Sequence, residues 1–156
     1  MENIRLSPNF TLAELVKSNI ADRHGINNWP TDPDTVEKLR LVAMNILQPV
    51  RDHFGIPFSP TSGFRCLELN RIIGSKDTSQ HTKGQAVDFE VPGISNYELS
   101  LWISRNLSFD QLILEFYEKG QPNSGWVHCS YVSPEDNRKE TLTMLKGEGF
   151  VKGLVE

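Results

Sequence analysis

A chain of 156 residues, 38% hydrophobic and 23% charged, has the length and balance of a single domain that buries its own core without disulfide or oligomeric support, so a monomer is expected. A net charge of −4 with no basic stripe argues against a nucleic-acid partner, because phosphate binding draws on clustered Lys and Arg. No apolar run reaches the length that crosses a bilayer, and Cys66 and Cys129 are expected as free thiols.

In chain order, Thr11 with Glu14 forms a capping-box pattern that opens a short helix, carrying Leu12, Leu15 and Val16 inward. SNIADRHGINNWPTDPD reads as a loop delivering Asp32 and Pro33 as N-cap and first residue of the longest helix. Val36, Leu39, Val42, Ala43, Ile46, Leu47 and Val50 carry that helix to about Phe54, with a bend near Pro49. LELNRIIG reads as a helix ending at Gly74, and Ser95 with Glu98 opens another over YELSLWISRNL. Strands are expected at AVDFEV, FDQLILEFY and WVHCSYV, with ETLTML as a final edge strand. The pattern is α+β: a small, mostly antiparallel sheet packed against helices, with a helical part over about 1–56 and a sheet part over about 57–145.

Strand alternation turns SQHTKGQAVDFEV into a candidate site. Val87, Phe89 and Val91 face one way and Asp88 the other; in WVHCSYV, Val127, Cys129 and Tyr131 oppose Trp126, His128 and Ser130. His81 lies in the loop feeding the first strand, with Gly84 letting the backbone fold back. Two imidazoles and one carboxylate with a fourth position open is the ligand set of a catalytic zinc site, which makes His81, Asp88 and His128 candidate ligands of one Zn2+. Amide hydrolysis also needs a base, and Glu115, on the face shared with Gln111 and Ile113, is the candidate. Plainer roles fit the same residues: a His-Asp pair that orients a loop, Glu115 in a salt bridge, Arg65 paired with a core carboxylate, Trp126 as packing. His24 and His53 read as surface or helix-end residues and Cys129 as core.

Together these residues resemble the zinc peptidases that cleave bacterial cell-wall peptides: the D-Ala-D-Ala carboxypeptidase and L-alanyl-D-glutamate endopeptidase family, peptidase family M15, especially its small phage-encoded members. The family's Ser-x-His-x-x-Gly-x-Ala-x-Asp motif stands here as Ser79, His81, Gly84, Ala86 and Asp88, and its later Trp-x-His as Trp126 and His128. TSGFRCLELN is similar to the family's Ser-Gly-Tyr-Arg segment, with Phe64 in place of Tyr. FDQLILE and WVHCS are similar to segments of the hedgehog signalling domain, which shares the fold. The resemblance implies a hedgehog/DD-peptidase-like fold, zinc on His81, Asp88 and His128, and Glu115 as base. Arg65 would hold a substrate carboxylate or the developing oxyanion, with Ser79, Gln80 and Trp126 as further substrate contacts. EFYEKGQPNSGW intervenes between Glu115 and His128 where many members have a few residues, which makes Glu118 the second candidate for the base.

The expected reaction is hydrolysis of an amide in peptidoglycan stem peptides, by an endopeptidase or a carboxypeptidase. The alternatives are a non-catalytic zinc-containing binding module and a virion structural protein of the same fold. MENIRLSPNFTLAEL lacks the features of a secretory signal, so the chain is expected in the cytoplasm of the infected cell, reaching the wall by lysis, through a pore or in a virion.

Overall fold

The computed structural model describes residues 2–156. Thr11 and Glu14 form the expected capping box: the Glu14 backbone N–H donates to the Thr11 hydroxyl at 3.4 Å, and the Thr11 N–H donates to the Glu14 carboxylate at 3.1 Å. They open α1 (Leu12–Val16). Before it lies a hairpin outside the sequence reading, β1 (Arg5–Ser7) paired antiparallel with β2 (Phe10–Thr11). The stretch expected as a loop holds α2 (Asn19–Arg23), capped by Ser18, whose hydroxyl accepts from the Ala21 N–H at 3.1 Å. Of its five residues Ala21 alone is buried, so it has no apolar period to read.

Asp32 and Pro33 start α3 (Pro33–Val42) as expected. The helical backbone then widens into a π-helical turn, Ala43–Leu47, and continues as α4 (Gln48–Phe54) to Gly55. The wider turn directly precedes Pro49, which has no N–H to donate and whose ring crowds the carbonyl one turn back. Leu39, Val42, Ala43, Ile46, Leu47 and Val50 are all fully buried along this length. Helices α5 (Leu67–Ile73) and α6 (Asn96–Asn106) end at Gly74 and begin at Ser95, as the sequence indicates.

Strands β3 (Ala86–Phe89), β4 (Gln111–Tyr117), β5 (Trp126–Ser130), β6 (Glu140–Leu145) and β7 (Gly149–Lys152) form one sheet in the order β3-β5-β4-β6-β7. β5 runs antiparallel between β3 and β4, and β7 antiparallel to β6; β4 and β6 are parallel. The fold is therefore α+β with a mixed, mostly antiparallel sheet. ETLTML is not the edge, because β7 pairs on its outer side and carries the sheet to Lys152. β7 escapes the sequence reading because GFVK shows no alternation of burial, with Phe150 60% exposed.

One sheet face, through Val87, Phe89, Leu112, Val127 and Cys129, packs on Leu12, Leu15, Leu39, Val42, Leu99 and Ile103 of the helices. Cys129 is a free, buried thiol whose ionisation burial opposes, and Cys66 is also unpaired. The opposite face is left for polar side chains.

A buried carboxylate locks the strands behind that polar face. Asp110, 2% exposed, accepts from Arg138 Nε at 2.9 Å and Nη2 at 2.8 Å, from the Arg138 backbone N–H at 3.0 Å, and from Gln80 Nε2 at 2.9 Å. These bonds, those from Arg138 foremost, hold its carboxyl at about 2. Asp110→Asn should lower the unfolding free energy at pH 7 by about 1.5–3 kcal/mol, the range for hydrogen bonds to a charged group. Because the folded value lies below the ordinary 3.8, that contribution is complete above about pH 4 and fades as pH falls toward 2. Urea midpoints of parent and variant should converge over that interval, and a constant gap would count against the account.

Candidate metal centre and its cleft

Strand register places the first two candidate ligands. Asp88 on β3 and His128 on β5 are direct cross-strand partners, and alternation sends both side chains to the polar face while Val87, Phe89, Val127 and Cys129 enter the core. His81 arrives from the 3-10 turn Gln80–Lys83, capped by the Ser79 hydroxyl, which accepts from the His81 backbone N–H at 3.3 Å. Gly84 ends that turn at φ +74°, and a Cβ there would sit 3.0 Å from the Thr35 carbonyl oxygen and 3.2 Å from Leu39 Cγ. The left-handed residue and the close approach to α3 together turn the chain back into β3.

The TSGFR segment completes the frame from the other side. The Asp88 N–H donates to Ser62 O at 2.8 Å, the Thr61 N–H to Asp88 O at 2.9 Å, and the Arg65 N–H to His81 O at 3.0 Å. A Cβ on Gly63 would overlap the Leu15 carbonyl oxygen, so this position takes glycine to let the segment lie against α1. Its own carbonyl faces His81 Nδ1 at 2.7 Å.

That contact sets the tautomer. A carbonyl only accepts, so Nδ1 carries the proton and Nε2 keeps its lone pair, turned toward Asp88 Oδ1 at 3.4 Å. His128 Nδ1 lies 2.9 Å from the same oxygen. Burial pushes the His81 imidazole below its ordinary value and keeps it neutral. Burial works against the Asp88 anion, but the hydrogen bond from His128 Nδ1 prevails and holds its carboxyl well below the usual carboxylate range. One ligand atom from each of the three lies within 4.8 Å of the others. Atoms bound tetrahedrally at about 2.0–2.1 Å from one ion are roughly 3.4 Å apart, a spacing near the separations found here, so a small adjustment suits the set to a divalent cation. Two neutral nitrogens and one carboxylate oxygen are the donors such an ion takes, and the side away from the protein opens into a cleft.

The cleft, about 900 Å³, brings eight of the residues singled out in the sequence to one place: Arg65, Ser79, Gln80, His81, Asp88, Glu115, Trp126 and His128 all line it. Their surroundings differ. Ser79 caps the 3-10 turn, and Gln80 is tethered to Asp110. Glu115 stands opposite Trp126, one position diagonal from His128; burial pushes its carboxyl upward, the Asp88 charge adds to that, and His128 opposes it. Glu118 does not line the cleft and lies 3.9 Å from Lys146 Nζ on the surface. Arg65 Nε is fully buried with no hydrogen-bond partner, and desolvation lowers its guanidinium from the ordinary value, partly offset by Asp88.

The sequence reading missed Phe116, Arg138 and Phe150, which also line the cleft. Strict alternation would send Phe116 into the core with Leu112 and Leu114. Instead Phe116 adopts φ +49°, the pairing of β4 with β6 slips between Leu114 and Tyr117, and Tyr117 becomes the buried residue. This bulge lays the Phe116 ring on Trp126, with centroids 5.1 Å apart and planes 24° from parallel, beside Glu115. No residue in ILEFYE announces it; the positive φ of Phe116 is visible only in the fold.

An α+β sheet with a three-donor cluster on the floor of an open cleft defines a candidate metal-dependent hydrolase. A family model described as Peptidase M15 matches residues 8–130, and the chain belongs to that family of peptidases. No curated protein matches the chain significantly. Strands β6 and β7 lie beyond the matched residues.

Metal-free protein titrated with zinc should bind one equivalent, with a rise in melting temperature because only the folded state holds the site. His81→Ala, Asp88→Ala and His128→Ala should each weaken binding by more than about 100-fold, while Gly63→Ala, which disturbs the carbonyl that orients His81, should cost about 10–100-fold. Calorimetric affinities unchanged in all four variants would exclude this centre.

Proposed function

We propose that this peptidase is zinc-dependent and hydrolyses an amide bond in bacterial peptidoglycan stem peptides. The observation that carries the proposal is the convergence of one donor atom each from His81, Asp88 and His128, all within 4.8 Å of one another on the floor of the cleft, with the Glu115 carboxylate on the same sheet face. Zinc, when bound, polarises the scissile carbonyl and makes a water molecule acidic enough to be activated near neutral pH.

The chain's own residues supply the rest. Gly63 and His128 hold His81 and Asp88 in the protonation states that ligands need. Glu115 accepts the proton of the attacking water at a carboxylate oxygen and returns it to the leaving amine; burial shifts its carboxyl upward, which strengthens it as a base. Arg65, with its Nε unpaired at the cleft wall, suits a substrate carboxylate or the oxygen of the tetrahedral intermediate, since a guanidinium fork pairs with carboxylates bidentately. Stem peptides are rich in such carboxylates. Phe116 and Trp126 wall the cleft beside Glu115 and limit water around it. A single zinc ion, access to the wall through lysis, a pore or a virion, and action as a monomer belong to the same proposal.

Purified muropeptides digested by the zinc-loaded protein should show new termini by mass analysis, and a chelator should abolish them. Glu115→Gln should lower kcat by about 10²–10⁴-fold while retaining zinc, because it removes a proton acceptor and no ligand. Retention of zinc with no cleavage of any stem peptide by the parent would favour a binding module.

A further inference from the structure

A second cleft of about 390 Å³ adjoins the main one at the candidate centre, and Arg65, Ile73 and Asp88 line both. Asp88 and Arg65 thus stand at a junction between two depressions, and 390 Å³ falls within the size range of pockets that hold small ligands. A protein that removes a terminal residue needs its groove stopped just past the reacting bond. Here space continues past Arg65 on the side where a stop would stand.

The walls of the second cleft have a definite chemistry. Lys17, at the end of α1, and Arg23, at the end of α2, line it with Arg65, while Ser18, Thr61 and Ser62 add hydroxyls. Asp88 is the one carboxylate on its walls, and in the centre described above its charge is committed to an ion. Lys17 and Arg23 are exposed, and among the described residues neither pairs with a carboxylate. Arg23 donates only from Nε to its own helix, at 3.5 Å to Asn19 O. Two unpaired cations beside a third, on a protein of net charge −4, form a local positive field in a depression, which attracts anions more strongly than the same charges on a flat surface.

We propose that the second cleft is a substrate subsite: the peptide crosses the centre from the main cleft, passes Arg65, and places a carboxylate-bearing segment between Lys17 and Arg23. The bond cut is then internal, with peptide retained on both sides of it. This rests on the peptidase reading above and adds the direction of the chain, the acidic character of its far segment, and two specificity-determining residues outside the catalytic machinery.

The test uses the zinc-loaded Glu115→Gln protein, which binds without turnover, and reduced muropeptides in two forms, native and amidated at their carboxyls. Lys17→Glu with Arg23→Glu should weaken calorimetric binding of the native peptides ~10-fold or more, the scale expected when two favourable charge contacts become repulsive, and that of the amidated peptides by less than ~2-fold. The native-peptide effect should shrink at 1 M salt, where exposed charges are screened beyond about 3 Å. Equal weakening of both forms, or none, overturns the subsite. Digestion by the parent should yield two peptide fragments, and release of a single terminal residue as the only product also overturns it. If neither peptide binds and no bond is cut, the peptidase reading fails and the subsite with it; cleavage indifferent to Lys17 and Arg23 removes the subsite alone. Both residues are exposed, so an unchanged melting temperature checks that the double variant folds.

Discussion

The pairing of β3 with β5 in the register Asp88 to His128 is the constraint on which the site depends. Because side chains alternate with a period of two, a one-residue slip of β3 would send the Asp88 carboxylate into the core and Val87 and Phe89 into the cleft, and the same slip of β5 would exchange His128 for Val127 and Cys129. The core therefore enforces the chemistry. Val87, Phe89, Val127 and Cys129 are all fully buried on the other face, and the strand parity that buries them is the one that turns Asp88 and His128 outward.

Around that pair, backbone groups do the work of alignment. The carbonyl of Gly63 fixes the tautomer of His81, the carbonyl of His81 holds Arg65, and the peptide of Asp88 is bonded to Ser62 on its free edge. The TSGFR segment, the 3-10 turn and β3 thus form one hydrogen-bonded unit. It is braced from below by α1 at Gly63 and by α3 at Gly84. Such bracing explains how residues far apart in the chain are held together, and why two of the framing positions, Gly63 and Gly84, are glycines.

The electrostatics follow from the same arrangement. His81 is neutral because it is buried, and Asp88 is charged although it is buried, because the hydrogen bond from His128 outweighs its desolvation. Glu115, with no hydrogen-bond donor to offset burial, is pushed the other way. Two carboxylates on one sheet face thereby acquire different characters, one suited to holding a cation and the other to exchanging a proton. Behind them the Asp110–Arg138 clamp joins β4 to the segment entering β6 and, through Gln80, reaches back to the turn that carries His81.

Much of this was legible in the amino-acid order, because it depends on periods and offsets shorter than a dozen residues. The capping box at Thr11, the N-cap at Ser95, the helix opened by Asp32 and Pro33, the outward faces of Asp88 and His128, and the glycine closing the turn after His81 are all local rules of backbone geometry. The peptidase-family match over residues 8–130 includes these segments. What only the tertiary structure decided are features that local rules do not contain. The bulge that exposes Phe116 and buries Tyr117, the parallel seat of β6, the strand β7 beyond it, the placement of Glu118 outside the cleft, and the second cleft beside Lys17 and Arg23 each depend on where distant segments stop and meet. Their common cause is that a strand's parity, a sheet's edge and a cleft's far wall are set by packing partners remote in sequence, and no single window of the chain records those partners.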